Sequence, residues 1–522
     1  MHERLKLYIR KNVDLTGAIA PTIVVTGIFF VIYYFFGIEN TIIGPCVTLS
    51  YLYFAGLSNH YASMVKTFLI YMVLAVAAYV AGLSLPFAIV VNAAVFFWIV
   101  YHLIDEYHPD NYYTPGMAFI LFQLSPVSGM HGLSMRLIAL ILSFAIAFLV
   151  LLLLPSRHNK NDVRKLVGQG FEIGNQLCEA YVARDKVAIE QKQQLLHLLN
   201  EQICDEIYLY NYAGFRKENK VNWYCRFVAL FQVLTVLAEH EDVEEKSEQM
   251  RNMLVNFKAL YEADKANDFS KKLVFKKEKP DIHSFTLRFA LRMLIVMTAC
   301  MIYGYICPWG NGFWLAVSVY FMMVPLYENI TGKIKGRLLG TIAGVILCFL
   351  LFTVFPSQPA HVVILIIFNF LINSSKNYAT TVAYLTCAVL ALNITPDNIG
   401  FTLLERLIYT FGGAGLTLLG CRFIFPIRIQ PEADYLLSRL NMLREQMQRI
   451  RVYKGESPEE LRHERDQLLV RSYLLSRRLR RYNQALPHEK RNLKLIDVLN
   501  EHMSDMSMFL VHHFIGIKSR GL

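Results

Sequence analysis

The sequence predicts an all-α, polytopic membrane protein built as two parallel six-span repeats, each followed by a cytoplasmic helical bundle. Three observations lead there. The chain of 522 residues is 55% hydrophobic and only 18% charged, with a mean hydropathy of +0.35, too apolar for a soluble protein with several ordinary cores. Its apolar runs approach the length of about 20 residues that crosses ~30 Å of hydrocarbon. They also fall into two blocks, each followed by charged, helix-periodic sequence.

In the first block the expected spans are Leu15 to Phe36, Thr41 to Ser58, Met64 to Leu83, Pro86 to Ile104, Thr114 to Leu124 and Leu133 to Leu154. Ser125-Pro126-Val127-Ser128-Gly129 separates the last two as a loop or helix interruption. The second block offers Phe285 to Ile306, Gly312 to Leu326, Leu338 to Phe355, Val362 to Ile372, Thr380 to Leu392 and Leu403 to Phe425. The basic N-terminus leads into a first run of full spanning length with no small-residue cleavage site, so an uncleaved first helix is expected. The resulting domains are 1–155 and 283–426 in the membrane, with 156–282 and 427–522 as helical domains.

The polar blocks show apolar residues at three-and-four spacing over Asp162 to Ala183, Ala188 to Tyr212, Val221 to His240 and Asp242 to Tyr261, then Glu432 to Val452, Pro458 to Asn483 and His488 to His513. Ser457-Pro458-Glu459-Glu460 has the cap, first-turn proline and third-position glutamate of a helix start. The run Arg477-Arg478-Leu479-Arg480-Arg481 is of a kind that binds RNA, but on a helix beneath a membrane it is expected to face anionic lipid or solvent; nucleic acid is not an expected partner.

Landmarks recur between the apolar blocks. Asn40 and Asn311, Lys66 and Arg337, and Arg136 and Arg406 are each about 270 residues apart, and Asn111-Tyr112 meets Asn377-Tyr378 at a smaller offset. Pro155-Ser156-Arg157 ends one block as Pro426-Ile427-Arg428 ends the other. With six spans each, such repeats have the same orientation and a shared axis along the membrane normal. Lys6, Arg10, Lys11, Lys66, Lys333, Lys335 and Lys376 mark one side as cytoplasmic, while the loops around Glu39, Ser84, Ser128 and Asp397 are nearly free of positive charge. The acidic loop from Asp105 to Asp110 departs from that pattern. Both polar blocks and both termini are therefore expected inside, which also accounts for much of the net charge of +11.

Enzyme chemistry finds little footing. There is no phosphate-binding glycine loop, no His-Glu-x-x-His and no Gly-x-Ser-x-Gly. The 15 histidines do not cluster at ligand spacing and the nine cysteines form no Cys-x-x-Cys, so neither a metal nor another cofactor is expected. Gly336, Gly340 and Gly344 line one helix face and predict close helix packing. Arg136 and Arg406, each at the outer start of the last span of its block, either hold an anionic solute or snorkel to lipid phosphate and pair with a neighbour such as Glu405. Lys66, Arg337, Arg288 and Arg292 are expected as cytoplasmic anchors, with an anion-gathering vestibule as the alternative for the last two. Asn92, Asn369 and Asn373 either bond neighbouring helices or touch solute. Glu328 and Glu405 are the acidic residues nearest the second block and so the candidates for proton coupling, although neither has an acidic counterpart in the first. Aromatic residues such as Tyr51, Tyr53, Phe54, Phe96, Phe97 and Trp98 suit either interfacial packing or a lumen for an aromatic solute.

The stretch Gly336-Arg337-Leu338-Leu339-Gly340-Thr341-Ile342-Ala343-Gly344, with Arg406 and Pro426 and their counterparts Arg136 and Pro155, resembles the fusaric acid resistance and aromatic acid exporter superfamily. The first half departs from it, since Lys66 stands for the arginine and no glycine ladder follows. The resemblance implies a transporter of the bacterial plasma membrane that exports small organic anions, aromatic carboxylic acids among them, driven by the proton gradient. A pathway between the two halves is the expected route. Some members work with an envelope adaptor protein, and homo-oligomers are compatible with the architecture. A passive anion channel and a non-transporting membrane scaffold of the cell envelope are the alternatives.

Overall fold

The computed structural model describes residues 13–55, 60–104, 111–153, 163–213, 221–239, 243–263, 284–307, 311–325, 327–393, 399–427, 429–452 and 458–485, with 495, 498–499, 501–503, 505–506 and 509 beyond. The N-terminal lysines and arginine, the loop from Asp105 to Asp110, Pro155, Pro396, Asp397 and Ser457 lie outside the described residues, as does the side chain of Glu328. The described chain is helical, with one isolated antiparallel bridge between Val13 and Ser375.

The chain divides into two compact units. One comprises Met1–Gly56, Met64–Ser156 and Lys279–Ile429, the other Leu57–Ser63, Arg157–Glu278 and Gln430–Leu522. The apolar blocks thus fold in one unit and the polar blocks in the other.

In the apolar unit the helices are α1 (Leu15–Phe36), α2 (Ile43–Ala55), α3 (His60–Ala81), α4 (Leu85–Leu103), α5 (Tyr113–Leu124) and α6 (Gly129–Leu153) from the first block. The second block follows a polar segment and gives Phe285–Ile306, Phe313–Met322, Tyr327–Val354, Gln358–Ser374, Tyr378–Asn393 and Ile399–Phe423. Asp14 starts α1 by accepting from the Gly17 N–H at 3.0 Å. Gly37, at φ +80°, ends it in a conformation that costs glycine little. Among the described residues six helices are long and apolar enough to cross a membrane: Leu15–Phe36, Met64–Ala81, Leu85–Leu103, Gly129–Leu153, Phe285–Ile306 and Ile330–Val354.

The other six expected spans fall on different objects. Ile43–Ala55 has 13 residues, Tyr113–Leu124 has 12 and Phe313–Met322 has 10. At about 1.5 Å rise per residue these reach roughly 15–20 Å, about half to two thirds of the hydrocarbon thickness. Gln358–Ser374 and Tyr378–Asn393 have 17 and 16 residues, and Ile399–Phe423 is long but carries buried Glu405 and Arg406. α5 and Phe313–Met322 are buried along most of their length and pack on each other, the Tyr320 hydroxyl donating to the Tyr112 carbonyl at 2.9 Å. They are core elements enclosed by longer helices. Blocks also exchange neighbours: Phe285–Ile306 packs on α4 and Gln358–Ser374 on α1.

The polar unit contains Val163–Val182, Lys186–Ala213, Val221–Leu237, Val243–Ala263, Ile429–Val452 and Pro458–Ala485. Its first and last parts interlock through Tyr473, whose hydroxyl accepts from Asn200 Nδ2 at 2.9 Å and donates to Gln232 Oε1. In the basic run Arg481 is exposed, while the other three arginines are engaged within the unit. Arg477 pairs with Asp205 at 2.6 Å, Arg480 with Glu201 at 3.4 Å, and the buried Arg478 reaches the Tyr482 hydroxyl at 2.8 Å.

Candidate functional site

For the second-block helices that build the site, we write α11 (Phe285–Ile306), α12 (Phe313–Met322), α13 (Tyr327–Val354), α14 (Gln358–Ser374), α15 (Tyr378–Asn393) and α16 (Ile399–Phe423), counting the four helices of the first polar block as α7 to α10. Side chains on α16 sort by face: Phe401, Leu404, Ile408 and Phe411 are exposed, whereas Glu405, Arg406, Tyr409, Thr410, Gly413 and Thr417 are buried. An apolar outside around a polar inside is the arrangement of a helix that lines something in lipid.

Buried arginines stand out in the apolar unit, Arg292 being 0% exposed, Arg136 and Arg337 1% and Arg406 4%. They fall into two kinds. Arg136 donates from Nε to Asn40 Oδ1 at 3.0 Å, from Nη1 to the Phe122 carbonyl at 2.9 Å, and from Nη2 to the Glu39 carbonyl at 3.1 Å and the Ser125 carbonyl. Asn40 itself donates to the Phe36 carbonyl at 2.9 Å. One guanidinium therefore closes the C-terminal end of α5 and the turn after α1, where carbonyls have no intrahelical partner. Arg292 does the same for α16 and the segment after α12, donating to the carbonyls of Ile424 at 3.0 Å, Phe425, and Pro325 at 3.2 Å. Its guanidinium is enclosed among chain ends rather than set at a lipid surface.

Arg337 and Arg406 differ. In each, Nε and Nη1 are buried without a hydrogen-bond partner. Arg406 lies over the Trp314 ring at 4.1 Å and Arg337 over the Phe321 ring at 4.5 Å, so that α12 presents one aromatic face to each cation. The two guanidiniums are within electrostatic reach of each other. Glu405 does not neutralise its neighbour, because its Oε2 accepts from Asn311 Nδ2 at 2.6 Å while Oε1 is buried without a partner. On the same three helices, α12, α13 and α16, the hydroxyls of Ser318, Thr341 and Thr417 are likewise buried and unpartnered, and the Tyr378 hydroxyl lies beside Arg337.

The remaining expected residues distribute as follows. Gly336, Gly340 and Gly344 face α15: a Cβ on Gly336 would meet Tyr378 Cδ1 at 2.8 Å, on Gly340 the Ala379 carbonyl and Val382 Cβ at 2.7 Å, and on Gly344 the Ala383 carbonyl at 2.8 Å. One residue further along each turn, about 100° round the helix, Arg337 and Thr341 face away from this seam. Lys66, Lys333 and Lys335 are exposed, and Arg288 is half-buried with Nη1 3.4 Å from the Pro426 carbonyl. Asn92 and Gln123 form a closed amide pair between α4 and α5, at 2.9 and 3.3 Å. Asn369 donates to the Leu365 carbonyl of its own helix at 3.0 Å, and Asn373 reaches Thr22 on α1 at 3.3 Å. Among the expected site residues, then, Arg406 and Arg337 come together, whereas Arg136, Asn92 and Asn369 are each engaged elsewhere. Trp314, Ser318, Phe321, Thr341 and Thr417 were not anticipated; the four-residue step from Arg337 to Thr341 was the one local sign of a polar face.

Residues 298–420 match the family described as fusaric acid resistance protein-like. Trp314, Ser318, Phe321, Arg337, Thr341, Arg406 and Thr417 all lie within that stretch, whereas Arg136 and Arg292 lie outside it. An uncharacterised protein of Haemophilus influenzae is 26% identical over 145 residues, which cover 27% of this chain and 20% of that protein. The aligned part thus spans about one fifth of the relative's length. No solved structure matches. Six helices long and apolar enough to cross a bilayer and this match together support a membrane protein, of which residues 298–420 are similar to the fusaric acid resistance protein-like family.

Proposed function

We propose that the protein is a plasma-membrane transporter that exports small organic anions, aromatic carboxylic acids foremost, and does not convert them. The observation that carries this reading is Arg406, a buried cation whose Nε and Nη1 lack partners and whose Cζ lies 4.1 Å from the centre of the Trp314 ring. A guanidinium so held offers a carboxylate a forked pair of N–H donors, and the adjoining rings suit an aromatic body. Both termini and the polar unit would face the cytoplasm, as the placement of the exposed lysines suggests. Glu405, whose Oε1 is buried and unpartnered beside the site, and Glu328 are the groups through which the proton gradient would act. Two parallel repeats are supported by Asn40 and Asn311, which each bond the last helix of their block, Asn40 accepting from Arg136 and Asn311 donating to Glu405, the neighbour of Arg406.

Flux of radiolabelled 4-hydroxybenzoate from liposomes containing the purified full chain tests this. Gradient-dependent flux that drops at least about tenfold in Arg406→Gln supports the reading, a charged hydrogen bond being worth about 1.5–3 kcal/mol. Flux that is indifferent to the gradient identifies a passive channel instead. No flux of any carboxylate would remove transport and favour a scaffold.

A further inference from the structure

We propose that Arg337 is a second anion-binding residue, and that it and Arg406 hold the solute carboxylate in succession along the interface of α12, α13 and α16, so that the route lies inside the second block rather than between the blocks. The inference rests on the transport reading above and specifies where the solute travels.

Three independent features converge on that interface. First, Arg337 is 1% exposed and, like Arg406, has buried Nε and Nη1 atoms without partners. Two like charges near each other in a low-dielectric interior are unfavourable without a counter-charge, and an anion between them removes the penalty. Second, three of the buried serine and threonine hydroxyls without a partner in this unit lie on α12, α13 and α16, the others being Thr26 and Thr298 among the described residues. Thr48, Ser143, Thr386 and Thr410 each donate to the carbonyl four residues back, at 2.7 to 2.8 Å. Such local bonding is the usual resort of a buried hydroxyl on a helix. Ser318, Thr341 and Thr417, 0%, 1% and 0% exposed, do not make that bond and lack any partner. Third, Trp314 and Phe321 are seven residues apart on one helix, about 10 Å along its axis, and each backs one cation. A cation held over a ring gains from the ring's negative face without using its N–H donors, which stay available to an anion. Among the described residues of the first block, Arg136 is bonded to four acceptors, and Lys66, which matches Arg337 in the repeat register, is exposed.

Binding of radiolabelled 4-hydroxybenzoate to the purified full chain in lipid nanodiscs decides the matter. Arg337→Gln should weaken binding at least about tenfold, with the ligand-free melting temperature nearly kept, because Nε and Nη1 have no hydrogen bond to lose. Lys335→Gln, an exposed cation two residues away, should bind as the wild type does. Arg337→Met fills a similar volume against Phe321 and carries the test if the glutamine variant fails to fold. Wild-type affinity in a folded Arg337 variant, alongside lost binding in Arg406→Gln, overturns the second station and leaves the transport reading intact. A folded wild-type protein that binds no 4-hydroxybenzoate overturns both.

Discussion

Replacing Arg136 and Arg337 in turn by methionine separates a structural cation from a solute-binding one. In Arg136→Met, Asn40 Oδ1 and the carbonyls of Phe122, Glu39 and Ser125 all lose their donor. Hydrogen bonds to a charged group contribute about 1.5–3 kcal/mol each but do not add, and removing the cation returns part of its desolvation cost. A net loss of about 3–5 kcal/mol is expected, as when one partner of a buried ion pair is removed. At about 2–4 °C per kcal/mol for large domains, this lowers the melting midpoint by roughly 6–20 °C. In Arg337→Met, Nε and Nη1 have no hydrogen bond to lose, and the contact given up is the one to the Tyr378 hydroxyl. The variant also loses one cation–ring contact, about 2 kcal/mol at most, and removes an uncompensated buried charge, so the midpoint should hold or rise. Thermal unfolding of both variants in the same detergent, without added anion, is the assay. Equal losses in the two, or an Arg136 variant as stable as the wild type, would refute the division of the arginines into two kinds.

Other consequences are as direct. Gly340→Ala places a methyl group against the Ala379 carbonyl and 2.7 Å from Val382 Cβ, so the helix pair must part; about 1–3 kcal/mol of destabilisation is expected from thermal unfolding. Tyr473→Phe deprives Asn200 and Gln232 of a buried partner and should cost about 1–3 kcal/mol, read as faster hydrogen exchange over both polar blocks. His502 is 2% exposed, and burial, followed by the charge of Arg444, pushes its pKa from 6.5 down to about 4. The imidazole is therefore folded in its neutral form. Stability is complete above the unfolded value of 6.5 and is lost as pH falls toward about 4, by an amount on the order of 3 kcal/mol. His502→Gln should flatten the rise in hydrogen exchange around it over that interval.

The polar blocks were the most legible part of the fold. Amphipathic periodicity over Asp162 to Ala183 and Pro458 to Asn483 corresponds to helices Val163–Val182 and Pro458–Ala485, because a single buried stripe repeats at the helical period. Short apolar elements were less legible. The run from Gly312 to Leu326 looks like a span, but the helix stops at Met322, before Pro325, and hydropathy does not distinguish a buried half-length helix from a lipid-facing one. Charge near a membrane edge informs about depth and not about rotation. Lys333, Lys335 and Arg337 therefore read as one cytoplasmic cluster, although only the lysines are exposed while Arg337 turns inward. The equivalence of Arg136 and Arg406 was visible in the register, but Glu39, Asn40, Phe122 and Ser125 gather around the former only once the chain has folded.

The hydrogen bond from Asn200 to Tyr473 joins residues 273 positions apart, with a whole apolar block between them. At about 5–20 residues per second, the ribosome takes roughly 15–55 s to reach the tyrosine after completing the asparagine. Through that interval the first polar block is on the nascent chain without the helix that completes its core, while the second apolar block is being inserted. Its final packing is thus a late event, gated by synthesis of the C-terminal block, and a chain arrested before Pro458 would present Asn200 and Gln232 without their Tyr473 partner to chaperones and proteases.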